Sequence, residues 1–234
     1  MVLSINGSPI VDIENIRKSG EIGRFNNLEF ALAGSRGNEE RNDYDIGISL
    51  VNNSSTIERL FVYEKSERTN NDVIEDESTF LHARILWQIE NSKYDFETYI
   101  QSSENPFQSY KRRDLFGVGV RFSQIQYIKL SLSLLHENEE SLLGENKNTD
   151  RINLYAHKNI DFENDSFISF STFFQPSLDD FSNDYKLSAS LSYNVPVSEN
   201  FLIKVKFTDS FDNDPPDFAE ESDQSFVTSF NYSF

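Results

Sequence analysis

From Asn27 to Phe234 apolar and polar residues alternate with a period of two, the pattern of strands with one dry and one wet face, and helical spacing hardly occurs. In LEFALAG, Leu28, Phe30 and Leu32 share one face while Glu29, Ala31 and Ala33 share the other. In DYDIGISL the apolar face is Tyr44, Ile46, Ile48 and Leu50, opposite Asp45, Gly47 and Ser49. The same alternation recurs in RLFVYEK, FLHARILWQI, YDFETYI, LFGVGVRF, YIKLSLSLL, RINLYAHK, SFISFSTFF, YKLSASLSY, FLIKVKF and the terminal SFVTSFNYSF. The pattern predicts about twelve strands, each near the length that crosses a bilayer when tilted. RLFVYEK is ambiguous, because neither Leu60 and Val62 nor Phe61 and Tyr63 form a clearly apolar face.

The connections between these segments alternate in length. NNSS (52–55), ENSK (90–93), SQIQ (123–126), IDFEND (160–165) and VPVSE (195–199) are short. Between them stand KSERTNNDVIEDEST, QSSENPFQSYKRRD, HENEESLLGENKNTD, QPSLDDFSND and TDSFDNDPPDFAEESDQ. An up-and-down meander sends alternate connections to opposite ends, so one end carries tight turns and the other long polar loops. Outer-membrane barrels sort their loops this way, whereas a soluble sandwich has no comparable reason to. The expectation is an all-β, transmembrane, antiparallel up-and-down β-barrel over residues 25–234, preceded by a periplasmic leader segment over 1–24. In hydrocarbon every backbone polar group needs an internal partner, so the sheet must close. Lipid then covers the stripe of Phe226, Phe230, Tyr232 and Phe234 at the C-terminus.

Composition fits this reading. Only 37% of the 234 residues are hydrophobic, yet 21 Phe and 10 Tyr are present, which excludes a disordered chain, since disorder is poor in aromatics. A barrel needs only half of each strand to be apolar. The net charge of −18 argues against nucleic acid, and the absence of cysteine removes disulfides, thiolate metal sites and thiol nucleophiles. No stretch approaches the roughly eighteen apolar residues of a spanning helix. The first residues, MVLSING, have neither the basic start nor the apolar run of a secretory signal. An outer-membrane location therefore implies a signal removed from this chain.

Three stretches carry a family resemblance. LEFALAGSRGN with Gly37 and Asn38, then HARILWQIENSKYDFETYIQ with His82, Ala83 and Arg84, then KRRDLFGVGVRF with Arg113 before Gly117-Val118-Gly119, resemble the YdiY-like family of salt-induced outer-membrane proteins. That family has no established activity, so the resemblance implies an outer-membrane barrel and no site residues. The terminus resembles the C-terminal assembly signal of such barrels, with Phe230, Tyr232 and Phe234 as its aromatics and Ser229 where glycine is common. The implied partners are outer-membrane lipid, lipopolysaccharide and, during biogenesis, the barrel-assembly machinery, with a monomer as the expected state.

Candidate chemistry is sparse. Parity sends Glu29, Asp45, His82, Arg84, Asp95, Glu97, Arg121, Lys129, Arg151, Asn153, Tyr155, His157, Lys204 and Lys206 inward. Both signs of charge are present, so these groups form either a plug of ion pairs or the wall of a narrow channel. Gly117 and Gly119 lack the third glycine and the helix of a phosphate loop, and read as space left for bulky inward neighbours. His136 is expected near Arg151 across a hairpin, and His157 lower, near Leu130, so these two do not converge on a catalytic group. Asp212, Asp214, Asp217 and Glu220 lie in a loop without lysine or arginine, which lacks the spacing of a calcium loop and reads as solvated. No cofactor or metal is implied. The leading function is a passive envelope barrel or small channel. The alternatives are a lipid- or lipopolysaccharide-modifying enzyme, which needs a Ser/His/acid cluster at the rim, and a soluble ligand-binding barrel, which needs an apolar interior.

Overall fold

The computed structural model describes residues 14, 16, 17, 20–35, 41–106, 110–122, 128–216 and 220–234. Twelve strands close into one antiparallel barrel in which each strand pairs with its neighbours in sequence and β1 with β12. They are β1 (Gly23–Ser35), β2 (Arg41–Asn53), β3 (Ile57–Asn70), β4 (Val73–Trp87), β5 (Tyr94–Asn105) and β6 (Tyr110–Phe122), then β7 (Lys129–Glu140), β8 (Asn146–Asp161), β9 (Phe167–Pro176), β10 (Tyr185–Ser198), β11 (Phe201–Asp212) and β12 (Ser222–Ser233).

Burial follows the pleat. On β4, Phe80, His82, Arg84 and Leu86 are buried and alternate with half-buried residues. The opposite faces turn Leu32, Ile46, Phe96, Ile100, Phe116, Leu134 and Leu191 outward and exposed. A contiguous apolar band on this scale is the lipid-facing surface of a membrane barrel. Aromatic pairs flank it. At the end holding the short turns, the rings of Tyr94 and Phe122 lie 5.3 Å apart, those of Phe162 and Tyr193 6.3 Å, and those of Tyr232 and Phe234 6.2 Å. At the opposite, loop end Phe174 stands 5.8 Å from Tyr185, which stands 5.8 Å from Phe211. Such girdles mark both interfaces of outer-membrane barrels.

The long connections differ from the expectation. Residues 65–79, read as a loop, belong to β3 and β4, which meet at a two-residue turn of Asn71 and Asp72 with φ of 49° and 63°. Asn and Asp tolerate this left-handed backbone. Similarly β5 runs on to Asn105, β6 begins at Tyr110, and β7 and β8 reach Glu140 and Asn146. These hairpin arms stand beyond the apolar band, where both faces are polar, so the period-two contrast that betrays a strand is lost although the ladder continues. The SQIQ turn and Gly37-Asn38 lie outside the described residues.

The ambiguous RLFVYEK segment turns Leu60 and Val62 inward, where they cluster with Val51 and Phe80, and Ile16 and Phe25 pack against them. Elsewhere the interior is charged and hydroxylated, with Arg113, Arg151, Glu137 and His157 almost fully buried. An apolar exterior around such an interior is the inverse of a soluble ligand-binding barrel.

Candidate functional site

The lumen is divided lengthwise. Its β4–β10 side is filled by two ion networks joined by a chain of hydrogen bonds. Near the loop end, the Glu137 carboxylate accepts from Arg113 at 2.6 Å, Arg151 at 3.2 Å and Lys186 at 2.9 Å. Lys186 also reaches Glu139 at 2.7 Å and Asp212 at 3.3 Å, and Arg151 reaches Asp184 at 2.7 Å. These side chains come from β6, β7, β8, β10 and β11 and the 177–184 connection, so the cluster ties distant strands across the interior. Outside the band, Lys147 joins Asp184 at 3.0 Å and Asp214 at 2.7 Å. Partial burial works against its ammonium, yet these hydrogen bonds hold its pKa above the ordinary lysine value.

Toward the turn end, Glu97 receives Arg121 at 2.6 Å and also pairs with Arg84. Arg121 continues to Glu14 at 2.5 Å, and Glu14 further meets Arg17 at 3.1 Å and Lys129 at 3.2 Å. Arg17 closes on Glu58 at 2.6 Å, and its carbonyl accepts from Asn53 at 2.9 Å. Residues preceding β1 thus insert both charges into the barrel. Burying charge is tolerable only when each group is paired and hydrogen-bonded, as here.

Between the networks the chain is continuous. Arg151 donates to the Gln175 carbonyl at 3.2 Å, the Gln175 amide to Asn153 at 3.0 Å, and Asn153 to Ser133 at 3.0 Å. Ser133 shares a hydrogen bond of 2.9 Å with Tyr99, over which Arg84 sits 5.8 Å from the ring centroid. Tyr99 lies across Gly117: a β-carbon there would come within 2.2 Å of the ring, and one on Gly119 within 2.4 Å of Ser133. The two glycines therefore make room for the polar chain, as their inward parity implied.

On the other side of the lumen the described residues leave two cavities. A cavity of about 520 Å³ at the turn end is lined by Asn27, Glu29, Ser49, Asn194 and Lys204 among others. A second, of about 80 Å³, continues toward the loop end between Asp45, Glu64, Ser66, Lys206, Thr208 and Ser225. Glu29 and Lys204 line both. They pair at 2.6 Å, and Ser229 donates to the same carboxylate at 2.5 Å. This clasp is where the two cavities meet.

The inward residues named from parity thus fall into separate groups. Glu29, Asp45, Lys204 and Lys206 line the open side. Arg84, Glu97, Arg121 and Lys129 belong to the turn-end network, with Asp95 opposite Arg121 in register. Arg151 belongs to the loop-end network. His82 stacks between Phe80 and Tyr99, at 6.2 and 5.8 Å. His157 bonds Ser171 at 2.7 Å and lies beside Tyr155 at 6.3 Å. His136 faces outward and pairs with Asp150 at 2.7 Å, whereas Arg151, its expected neighbour, sits opposite Leu135 and points inward. The parity differs by one residue, which in a strand reverses the face. Sequence reading missed Glu14, Arg17, Glu58, Arg113, Glu137, Glu139 and Lys186. Arg113, Glu137 and Glu139 share parity with the inward residues of their strands, but lie where the strands had been read as loops. The acidic Asp212 and Asp214 find lysines on other strands, while Asp217 lies outside the described residues. Among the described residues no group of three metal-ligating side chains occurs.

The fold recurs among solved structures. The COG4313 outer-membrane channel from Pseudomonas putida F1 superposes with a TM-score of 0.55 at 6% identity, covering 96% of this chain and all (100%) of that one. The NanC porin gives 0.51 at 8% identity over 89% of this chain and 98% of its own, and the KdgM porin in complex with disordered oligogalacturonate gives 0.50 at 10% over 91% and 99%. At these identities the likeness is one of fold, that of a porin-type outer-membrane barrel. A search among curated protein sequences returned no match. The family model described as "Protein of unknown function, DUF481" matches residues 28–234, from within β1 to the last aromatic, and the chain belongs to that family.

Proposed function

We propose that this protein is a passive outer-membrane channel whose narrow path runs along one side of the lumen, past the Glu29–Lys204 pair. The observation that carries the reading is the succession of two cavities sharing that pair as their common wall, against a far side closed from Arg113 to Arg17 by ion pairs. The path is wide at the turn end and narrows where Lys204, Glu29 and Ser229 converge. Beyond them Lys206, Asp45 and Glu64 give it groups of both signs, so conductance is small and selectivity weak. Ring charges at a constriction set ion preference.

The chain acts without catalysis in this reading. His136 and Asp150 sit at the rim on the lipid-facing side, and His157 with Ser171 is enclosed in the lumen, away from any bilayer lipid. The short turns, the start of β1 and the end of β12 face the periplasm, the hairpin arms face outward, and the barrel is monomeric. It meets lipid and lipopolysaccharide through its apolar band and enters the membrane by way of the barrel-assembly machinery.

Planar-bilayer recording tests the proposal. The wild-type barrel gives small single-channel steps, Lys204→Ala enlarges them and shifts the reversal potential in a salt gradient toward cations, and Glu29→Gln shifts it toward anions. Steps unchanged in size and selectivity by both substitutions would place the current elsewhere and defeat the proposed path.

A further inference from the structure

The barrel is not closed evenly. Among the described residues the β1–β12 ladder joins four pairs, from Asn27 with Ser233 to Phe30 with Phe230, whereas every other junction joins eight or more. Both strands run on past the last pair. β1 stays paired with β2 to Ser35, and β12 with β11 from Ser222. Continuing the register would set Ala31 against Ser229 and Leu32 against Thr228, and neither pair forms. The gap lies within the apolar band, since Leu32 and Phe226 on its two edges face outward and are exposed.

Two facing edges without a ladder are unfavourable against hydrocarbon, which offers backbone N–H and C=O groups no water to replace the missing partners. Behind the gap is the cavity of about 80 Å³, to which both edges contribute, Ala31 from β1 and Ser225, Val227 and Ser229 from β12. Deeper in that cavity stand Lys206, which forms no salt bridge among the described residues, and Glu64. Below the gap the Glu29 clasp to Ser229 and Lys204 pins the seam where the backbone ladder stops.

We infer that the upper half of the β1–β12 seam is a lateral portal between membrane and lumen, and that it admits a single-chain zwitterionic amphiphile. The acyl chain stays in the bilayer between Leu32 and Phe226. The head enters between the two edges, its anionic group to Lys206 and its cationic group to Glu64, and its oxygens occupy the backbone N–H groups that the ladder leaves open. The portal shares this smaller cavity, with Lys206 and Glu64, with the axial path, and differs from it in opening sideways above the clasp.

Quenching by a lysophosphocholine with a brominated chain, in vesicles of unbrominated lipid, tests the portal. The chain has no native cysteine, so a bimane on Val227→Cys, which faces inward, reports from one site, and Ala31→Cys reads the same portal from the other edge if the first variant folds poorly. The expected result is saturable quenching at Val227 about threefold stronger than at Leu60→Cys, which is inward on a fully laddered strand. Lys206→Gln should raise the half-quenching concentration about tenfold, and a Leu32→Cys, Thr228→Cys cross-link should abolish quenching at an Ala31 label. Quenching absent at both Val227 and Ala31 while outward Thr228→Cys is quenched overturns the portal. Equal quenching at Leu60 and Val227 also overturns it, because entry would then be through the barrel end. An unchanged half-point in Lys206→Gln overturns the head-group site.

Discussion

The ring of Tyr99 lies so close over Gly117 that a β-carbon added there would come within 2.2 Å of it. Tyr99 is thereby pressed against the lumen wall, and its hydroxyl reaches Ser133 on β7 across the intervening strand. Gly117→Ala should force this ring off its site and cost about 1 to 3 kcal/mol by overpacking. Denaturant unfolding in detergent, followed by heat-modifiable gel mobility, measures the loss, and Gly117→Ala with Tyr99→Ser should recover most of it. Equal stability of Gly117→Ala and the wild type would contradict the packing.

Glu137 collects three cations in a site with almost no solvent contact. Glu137→Ala removes the carboxylate that Arg113, Arg151 and Lys186 share and leaves them only Glu139, Asp184 and Asp212, and breaking a buried pair from one side costs about 3 to 5 kcal/mol. The folded band on unheated gels should shift to lower denaturant by a corresponding amount, and Glu137→Gln should fall between the two.

Charges of the filled side and the open side should respond differently. Arg84→Ala and Arg121→Ala remove partners of Glu97 and Glu14, so they lower stability and leave ion preference close to that of the wild type. Lys206→Ala removes a cation from the open side, so it leaves stability nearly unchanged and shifts reversal potentials toward cations. Recording all three variants in a salt gradient separates the two sides of the lumen.

Phe234 is 69% exposed to its surroundings, and its backbone N–H donates to Asn26 at 3.1 Å. Deleting it removes little protein packing, so refolding into detergent should remain largely intact. Assembly in cells should fail more severely, because Phe230, Tyr232 and Phe234 resemble the terminal signal of outer-membrane barrels. Fractionation checks this: normal outer-membrane levels of the deletion variant would reject the assembly role.

The apolar band predicts that the protein partitions with membranes and requires detergent. A monodisperse monomer recovered in detergent-free buffer would oppose the barrel in membranes.

Alternation by itself determined the strand count, the barrel class and the inward face of nearly every strand, because a pleat puts successive side chains on opposite sides and lipid demands that one of them be apolar. Where that demand ends, so did legibility. The arms of β3 and β4 carry polar residues on both faces, the buried Asp76 and Ser78 included, and with no contrast in polarity they read as loop, taking Arg113, Glu137 and Glu139 on other hairpin arms out of view. Phe61 and Leu60 compete for the lipid face with equal hydropathy, and only packing against Val51 and Phe80 sends Leu60 inward. The pairing of inward charges was beyond any local pattern. Lys204 meets Glu29 from 175 positions away, and Arg113 and Lys186 share one carboxylate because barrel closure and strand tilt set their heights. Parity tells a residue which side it faces. Only the closed sheet decides what it faces there, and so which side of the lumen is filled, which is open, and where the seam stops.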